Sequence, residues 1–352
     1  MVSEASDERR LLQPFAGRPP SPPPIWLMRQ AGRYLPEYRA VRAKAGTFLD
    51  LCYNPALAAE VTLQPVRRFG FDAAILFSDI LVVPDALGQR VEFADGEGPR
   101  LDPIRTQGDL ARLSPSATRP KFARVGETVA RLRQDLPHAT ALIGFCGAPW
   151  TVATYMVAGK GTADQADARL WAYRDRVGFA RLIAILVEAS IDYLSLQAEA
   201  GADVLQIFDT WAGSLPPGEF EAWVVAPTAR IVSAVRAAHP NVPVIGFPRG
   251  AGEKIGRYAA ATGVQGVGCD TGMRTEAMAD LARSAGVVVQ GNLDPMALVA
   301  GGVEMERQAG ELLKGLAGVP HIFNLGHGIV PETPPEHVAR LVELVRGRRV
   351  EG

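Results

Sequence analysis

Pro24-Ile-Trp-Leu-Met-Arg29-Gln-Ala-Gly-Arg33-Tyr-Leu-Pro-Glu-Tyr-Arg39 joins a short apolar run to two arginines across a glycine-containing turn. Residues 25–28 read as a buried strand, because consecutive apolar side chains leave no face for water. Charge appears where the strand stops. Two guanidiniums held together at the mouth of an apolar strand repel each other and lose hydration unless an anion lies between them. Their planar forks suit carboxylate or phosphate. The residues alone leave two readings open, an anion clamp or a solvated loop, since arginines four apart are also common on exposed helices.

The same grammar recurs along the chain. Asn54-Pro55 places a capping residue before a proline at the first helical position, and Leu57, Val61 and Val66 then share a face. That helix leads into Asp72-Ala-Ala-Ile-Leu-Phe77, an apolar run closed by Ser78-Asp79. Further apolar runs at 141–145, 203–208, 242–247, 263–267, 287–290 and 321–324 alternate with helical stretches near 121–135, 177–196 and 220–235. A last helix opens on Thr333-Pro-Pro-Glu336, which reads as a capping box.

Eight strands that never alternate between apolar and polar predict a parallel sheet covered by helices. Eight is also the number that closes a (β/α)8 barrel. A doubly wound open sheet is the competing architecture, but no glycine-rich phosphate fingerprint follows any of the strands. The expected fold is therefore α/β, a single-domain (β/α)8 TIM barrel over residues 24–352. A hairpin insertion is expected after the second strand, where 90–93 and 99–101 flank Ala94-Asp-Gly-Glu-Gly98. Residues 1–23 form an N-terminal Pro-rich extension that runs into Arg18-Pro-Pro-Ser-Pro-Pro-Pro24, a stiff tether into the first strand.

Composition narrows the class of function. The 352 residues are 47% hydrophobic and 21% charged, which suits a soluble globular protein with one large core or two modest ones. A formal net charge of −1 supplies no global field toward nucleic acid or an anionic membrane, so any anionic ligand needs a local cluster. Only five of the 37 basic residues are lysine, a bias that GC-rich coding explains without function. Cys52, Cys146 and Cys269 are too scattered for a disulfide framework, and no apolar run reaches membrane-spanning length. The start MVSEASDERR lacks the features of a signal peptide, so a cytoplasmic location is expected.

In such barrels chemistry takes place on the loops at the C-terminal ends of the strands, and polar residues collect there. Arg29 and Arg33 follow the first strand, Asp79 the second, Tyr155 lies beyond the third, Asp209-Thr210 follow the fourth, and Asn324-Leu-Gly-His327-Gly the eighth. Singly, each has a structural reading: Asp79 a helix cap, Tyr155 a core aromatic, Thr210 a local hydrogen-bonder, His327 a turn residue. Their shared rim is what favours a site.

Met28-Arg29-Gln-Ala-Gly-Arg33-Tyr-Leu-Pro resembles the N-terminal signature of the uroporphyrinogen decarboxylases, haem-pathway enzymes that convert four acetate side chains of a tetrapyrrole to methyls. Phe77-Ser-Asp79-Ile-Leu, Gly147-Ala-Pro-Trp-Thr with Tyr155-Met, Gln290-Gly-Asn-Leu-Asp-Pro295 and Asn324-Leu-Gly-His327-Gly-Ile are similar to the family's further signatures, in its order. The resemblance runs from about residue 20 to the last helix. It implies that Arg29, Arg33 and Arg42 bind substrate carboxylates and that Asp79 binds the pyrrole nitrogens and stabilises the transition state. It also implies that Tyr155 and His327 contact the substrate periphery, with Arg29, Asp79, Tyr155 and His327 as the catalytic set. Gln30, Ala31, Gly32 and Phe145 join the substrate-binding residues, and Thr210 stands at a position often held by serine. The resemblance further implies a homodimer, a tetrapyrrole as the small-molecule partner, and neither cofactor nor metal.

Such a reaction asks for these residue types. Losing CO₂ from a pyrrole acetate leaves an electron pair that the ring must accept, which it can do once protonated to an iminium cation. A desolvated carboxylate at the ring nitrogens stabilises that cation more than water does. Two other readings compete. A zinc-dependent, cobalamin-linked methyltransferase of the same superfamily needs a His-x-Cys pair after a middle strand, where this chain has Gly246-Phe-Pro-Arg249-Gly. A non-catalytic tetrapyrrole carrier would keep the arginines without needing Asp79.

Overall fold

A computed structural model describes residues 9–94 and 98–347. The apolar runs fold as short strands: β1 (Ala73–Ile75), then β2 (Val91–Ala94) and β3 (Gly98–Leu101), then β4 (Ala141–Gly147), β5 (Val204–Asp209), β6 (Val244–Pro248), β7 (Gly266–Gly268), β8 (Val288–Leu293) and β9 (His321–Leu325). Seven of them form one parallel sheet in the order β1-β4-β5-β6-β7-β8-β9, curled with helices packed between successive strands. The registers advance regularly, Ile75 opposite Ile143, Phe145 opposite Gln206 and Gly291 opposite Phe323. Every residue of β4 is buried, which explains its unbroken apolar reading.

The run 25–28 reads as a strand but pairs as one only at a single point. Ile25 bridges Phe323 of β9 in parallel, and on its other side the Ile25 carbonyl accepts the Asp72 N–H at 2.9 Å. The ladder then stops because the Met28 N–H donates to the Asn324 side chain (2.9 Å). Asp72 pins the segment's start, its Oδ2 accepting the Ile25 N–H at 2.8 Å. A buried amide chain crosses the interior: Trp26 Nε1 donates to Gln290 Oε1 (3.0 Å), and Gln290 Nε2 donates to Gln206 Oε1 (3.2 Å). Three elements far apart in sequence thus meet inside the curl.

The helices begin where their caps dictate. Asn54 caps the helix Pro55–Phe69 with its side chain accepting from the Leu57 N–H. The last helix departs from expectation. It starts at Pro335 with Pro334 as N-cap, and among the described residues it has no side-chain cap and the buried Thr333 Oγ1 has no partner. The paired prolines displace the helix start by one residue, so Thr333 falls outside capping reach.

β2 and β3 pair antiparallel, Val91 opposite Leu101, while residues 95–97 of the expected turn lie outside the described residues. The same holds for residues 1–8 of the Pro-rich extension and for 348–352 at the far end of the expected barrel. The described part of the extension packs on the sheet's N-terminal side. Leu11 is fully buried, Arg9 pairs with Asp203, and Arg10 Nη2 donates to the Pro22 carbonyl.

Candidate active site

Arg29 sits where the Ile25 segment turns away, in the left-handed region with φ 62°. An L-residue there costs about 1–2 kcal/mol, so its surroundings must hold it. Gln30 does the holding. Fully buried, it accepts the Leu27 N–H on Oε1 (3.2 Å) and donates from Nε2 to the Ala73 carbonyl (3.0 Å), while its own carbonyl accepts from Tyr34 Oη (2.8 Å). The substrate contact expected of Gln30 finds these polar atoms engaged inside the protein. The Met28 carbonyl accepts the Ile329 N–H at 2.9 Å, which binds this turn to the loop after β9. Gly328 completes the fit, because a Cβ there would lie 2.3 Å from Arg29 Cδ. The Arg29 stem therefore crosses directly over the loop that carries His327.

Asp79 is placed by the helices behind it. The Phe77 N–H donates to Thr62 Oγ1 (3.0 Å), and Ser78 Oγ lies 3.1 Å from Tyr193 Oη. Asp79 Oδ1 accepts the Leu81 N–H at 2.8 Å. Although the residue is only half-buried, the surrounding protein strips water from its carboxyl and pushes it up to about 6, against the Leu81 bond and the Arg29 charge. This carboxyl is desolvated yet faces a guanidinium with which it forms no ion pair among the described residues.

Tyr155 is carried by the helix Pro149–Ala158, which starts directly after β4. Burial raises its phenol pKa, and the charges of Asp79 and Arg29 both reach it, in opposite senses. Its ring lies 6.5 Å from that of Trp211, in the turn after β5. Thr151, one turn earlier, locks that turn in place: its hydroxyl donates to Asp209 Oδ1 at 2.5 Å and accepts the Trp211 N–H at 3.0 Å. Asp209 is itself buried, with Oδ2 unpartnered among the described residues and its carboxyl pushed up to about 7 by desolvation. Thr210, half-buried between Asp209 and Trp211, keeps its hydroxyl without a partner among the described residues.

His327 is lowered to about 4, first by desolvation and then by the charges of Arg29 and Arg249, with Asp270 opposing. The imidazole is therefore neutral at physiological pH and can donate or accept a hydrogen bond. Arg29, Asp79, Tyr155 and His327 thus come together from four different strand exits, with Arg29 felt by the other three.

The remaining arginines stand beside this group. Arg33 is exposed, with no side-chain partner among the described residues, and its charge reaches Tyr38, whose ring packs 5.6 Å from that of Phe77. Arg42 donates to the Gly46 carbonyl at 2.6 Å, and its charge acts on Cys52, as does that of Asp79. Phe145 is buried edge-on against Phe208 at 5.5 Å, and Phe208 against Phe247 at 6.1 Å, an apolar row across β4, β5 and β6. Ala31 and Gly32 are half-buried in the turn.

Two neighbours were not among the expected site residues. Arg249 follows β6 and Asp270 follows β7, and both act on His327. Arg249 holds a strand-exit position that the alternation of strands and helices marks, whereas Asp270 lies beyond a run expected to end at 267. Where the methyltransferase reading needs a thiolate or imidazole after β6, Arg249 stands instead. All three cysteines are buried, and burial pushes the Cys146 thiol up to about 12, away from thiolate.

The family model described as uroporphyrinogen decarboxylase matches residues 6–348. A uroporphyrinogen decarboxylase from Chelativorans sp. (strain BNC1) is 56% identical over 344 residues, covering 97% of this chain and 99% of its own. Another from Sinorhizobium fredii (strain NBRC 101917 / NGR234) is 55% identical over 345 residues, covering 98% and 99%. Among solved structures, a methyltransferase from Methanosarcina mazei matches with a TM-score of 0.76 at 22% identity, over 97% of this chain and 98% of its own. Likeness at that level of identity speaks to the fold alone.

Proposed function

The chain belongs to the uroporphyrinogen decarboxylase family, and on that premise we propose that it removes CO₂ from the four acetate arms of uroporphyrinogen III to give coproporphyrinogen III. The observation that carries the reading is the meeting of Asp79, Arg29, Tyr155 and His327 at one rim, with a desolvated carboxyl among cations suited to an anionic ligand. We infer further that the curled sheet closes through the Ile25 segment as a (β/α)8 barrel over residues 24–352, with the β2–β3 pair as an insertion after the strand that carries Asp79.

In this reading the arginines take carboxylate arms, and Asp79 accepts hydrogen bonds from the pyrrole N–H groups. A proton added to a ring carbon beside the acetate-bearing carbon makes the ring an iminium cation. The C–C bond to the carboxylate then breaks, its electron pair enters the ring, and CO₂ leaves an exocyclic methylene. A second proton turns the methylene into methyl, and the first proton leaves to restore the pyrrole, so one proton is consumed for each CO₂ released. Asp79, ionised once the N–H groups approach, stabilises the cation in a site of low dielectric. Neutral His327, Tyr155 and the free Thr210 hydroxyl supply hydrogen bonds at the periphery.

Enzymes lower barriers by roughly 8–23 kcal/mol, so one carboxylate does not suffice, and orientation by the arginines contributes several kcal/mol more. Incubation of the purified protein with uroporphyrinogen should release CO₂ and yield the four-carboxyl product. Binding without CO₂ release would favour the carrier reading. The protein is proposed to act in the cytoplasm, and among the described residues no helix is long and apolar enough to cross a membrane. We also propose a homodimer, and light scattering at micromolar concentration should give twice the mass of one chain.

A further inference from the structure

Arg249 is half-buried, yet its guanidinium makes no hydrogen bond and no ion pair among the described residues. Its backbone, by contrast, is held from two sides. The Arg249 N–H donates to the Asp209 carbonyl (3.0 Å), the Arg249 carbonyl accepts the Gly213 N–H (3.0 Å), and the next N–H, of Gly250, donates to Asp270 Oδ2 (2.6 Å). Gly213 leaves no slack, since a Cβ there would lie 2.4 Å from the Gly250 carbonyl oxygen. A loop held through its backbone thus presents a guanidinium without a partner among the described residues.

Arg249 directly follows β6, at the same rim of strand exits as His327 after β9. Its charge reaches His327 together with that of Arg29, so two guanidiniums bear on one neutral imidazole. Asp270, the acid in this corner, has both oxygens engaged by backbone, Oδ1 by the Gly272 N–H at 2.8 Å and Oδ2 by Gly250. It forms no ion pair with Arg249 among the described residues. In the sheet, β6 is separated from the Ile25 segment by β1, β4 and β5, so Arg249 approaches from a different side than Arg33 and Arg42.

We propose that Arg249 is a further substrate-binding residue that seats a propionate arm of the macrocycle. This rests on reading the rim as the decarboxylase cleft. Acetates disappear one by one over four rounds of reaction, so a seat that grips an acetate loses its ligand as the reaction advances. Propionates persist through every intermediate and into the product. A guanidinium on a held backbone, with no partner among the described residues, suits the arm that persists, and its fork matches a carboxylate.

The test compares Arg249→Gln and Arg249→Lys with the unaltered protein, using uroporphyrinogen as substrate and coproporphyrinogen as product inhibitor. In Arg249→Gln, KM and the inhibition constant of coproporphyrinogen should both rise by about tenfold, the loss of one charge-assisted hydrogen bond, with a smaller change in kcat. Arg249→Lys should recover part of both. A rise in KM with an unchanged inhibition constant would assign the seat to an acetate and overturn the proposal. So would no change in either constant, or a fall in kcat alone. Failure of the underlying reading would look different, as absence of CO₂ release from the unaltered protein.

Discussion

Asp79→Asn should lower kcat by about 10³ and at the same time make the folded protein more stable at pH 7. Asparagine keeps the volume and an oxygen for the Leu81 N–H, but it loses the charge proposed to face the ring cation. The loss belongs to the transition state, so kcat should fall more than KM rises. The stability effect follows from the raised pKa. Burial holds Asp79 at about 6 in the folded protein, while an unfolded aspartate titrates near 4. The folded state therefore binds the proton more tightly, and as pH rises from about 4 to about 6 the native protein loses stability relative to the unfolded chain. Above that window the ionised, desolvated carboxylate is a constant burden that asparagine lacks. Urea unfolding should show parent and variant alike near pH 4, with the variant ahead by roughly 1–3 kcal/mol at pH 7. A variant that loses ground as pH rises would contradict the burial of this carboxyl. A dry carboxylate acts on a cation more strongly than a solvated one, which is the role proposed for Asp79.

The strands were legible because buried parallel strands carry no polar alternation. β4 and β5 lie almost where apolar content puts them, with ends shifted by a residue or two. What escaped sequence reasoning depends on distant partners. The Ile25 segment looks like any other strand, but side chains take its ladder groups, Asn324 the Met28 N–H and Gln30 the Leu27 N–H. Thr333 and Glu336 have capping-box spacing, but two intervening prolines move the helix start. Arg29, Asp79, Tyr155 and His327 stand out by type and by position after strands, and in the fold the charge of Arg29 reaches the other three. Arg249 shares that position, but its loop suggested only missing zinc ligands. The internal bonds of Gln30, inside the signature, are not legible in the sequence, because its partners Leu27 N–H and Ala73 O become neighbours only in the fold.

Arg29→Gly should leave stability unchanged or raise it by up to about 1 kcal/mol, while kcat/KM falls by about 10²–10³. Glycine adopts φ 62° without strain, which offsets the lost packing of the Arg29 stem over Gly328. A strained backbone held by Gln30 and the β9 loop, under a guanidinium with no partner among the described residues, is what the proposed ligand-binding role of Arg29 accounts for. Arg29→Lys separates two roles for that cation. A guanidinium keeps its proton to above about pH 12 and is a poor acid near neutrality, so the ring proton is better supplied by a bound water or by a carboxyl of the substrate. If Arg29 acts by grip alone, lysine keeps the charge but loses the two-pronged geometry. Turnover should then fall at least tenfold, with the pH optimum unmoved. If Arg29 is the acid, lysine, with its lower pKa, should keep near-normal turnover and displace the optimum. A pH–rate profile of this one variant decides between them, because clamping a carboxylate and surrendering a proton make opposite demands on the same group.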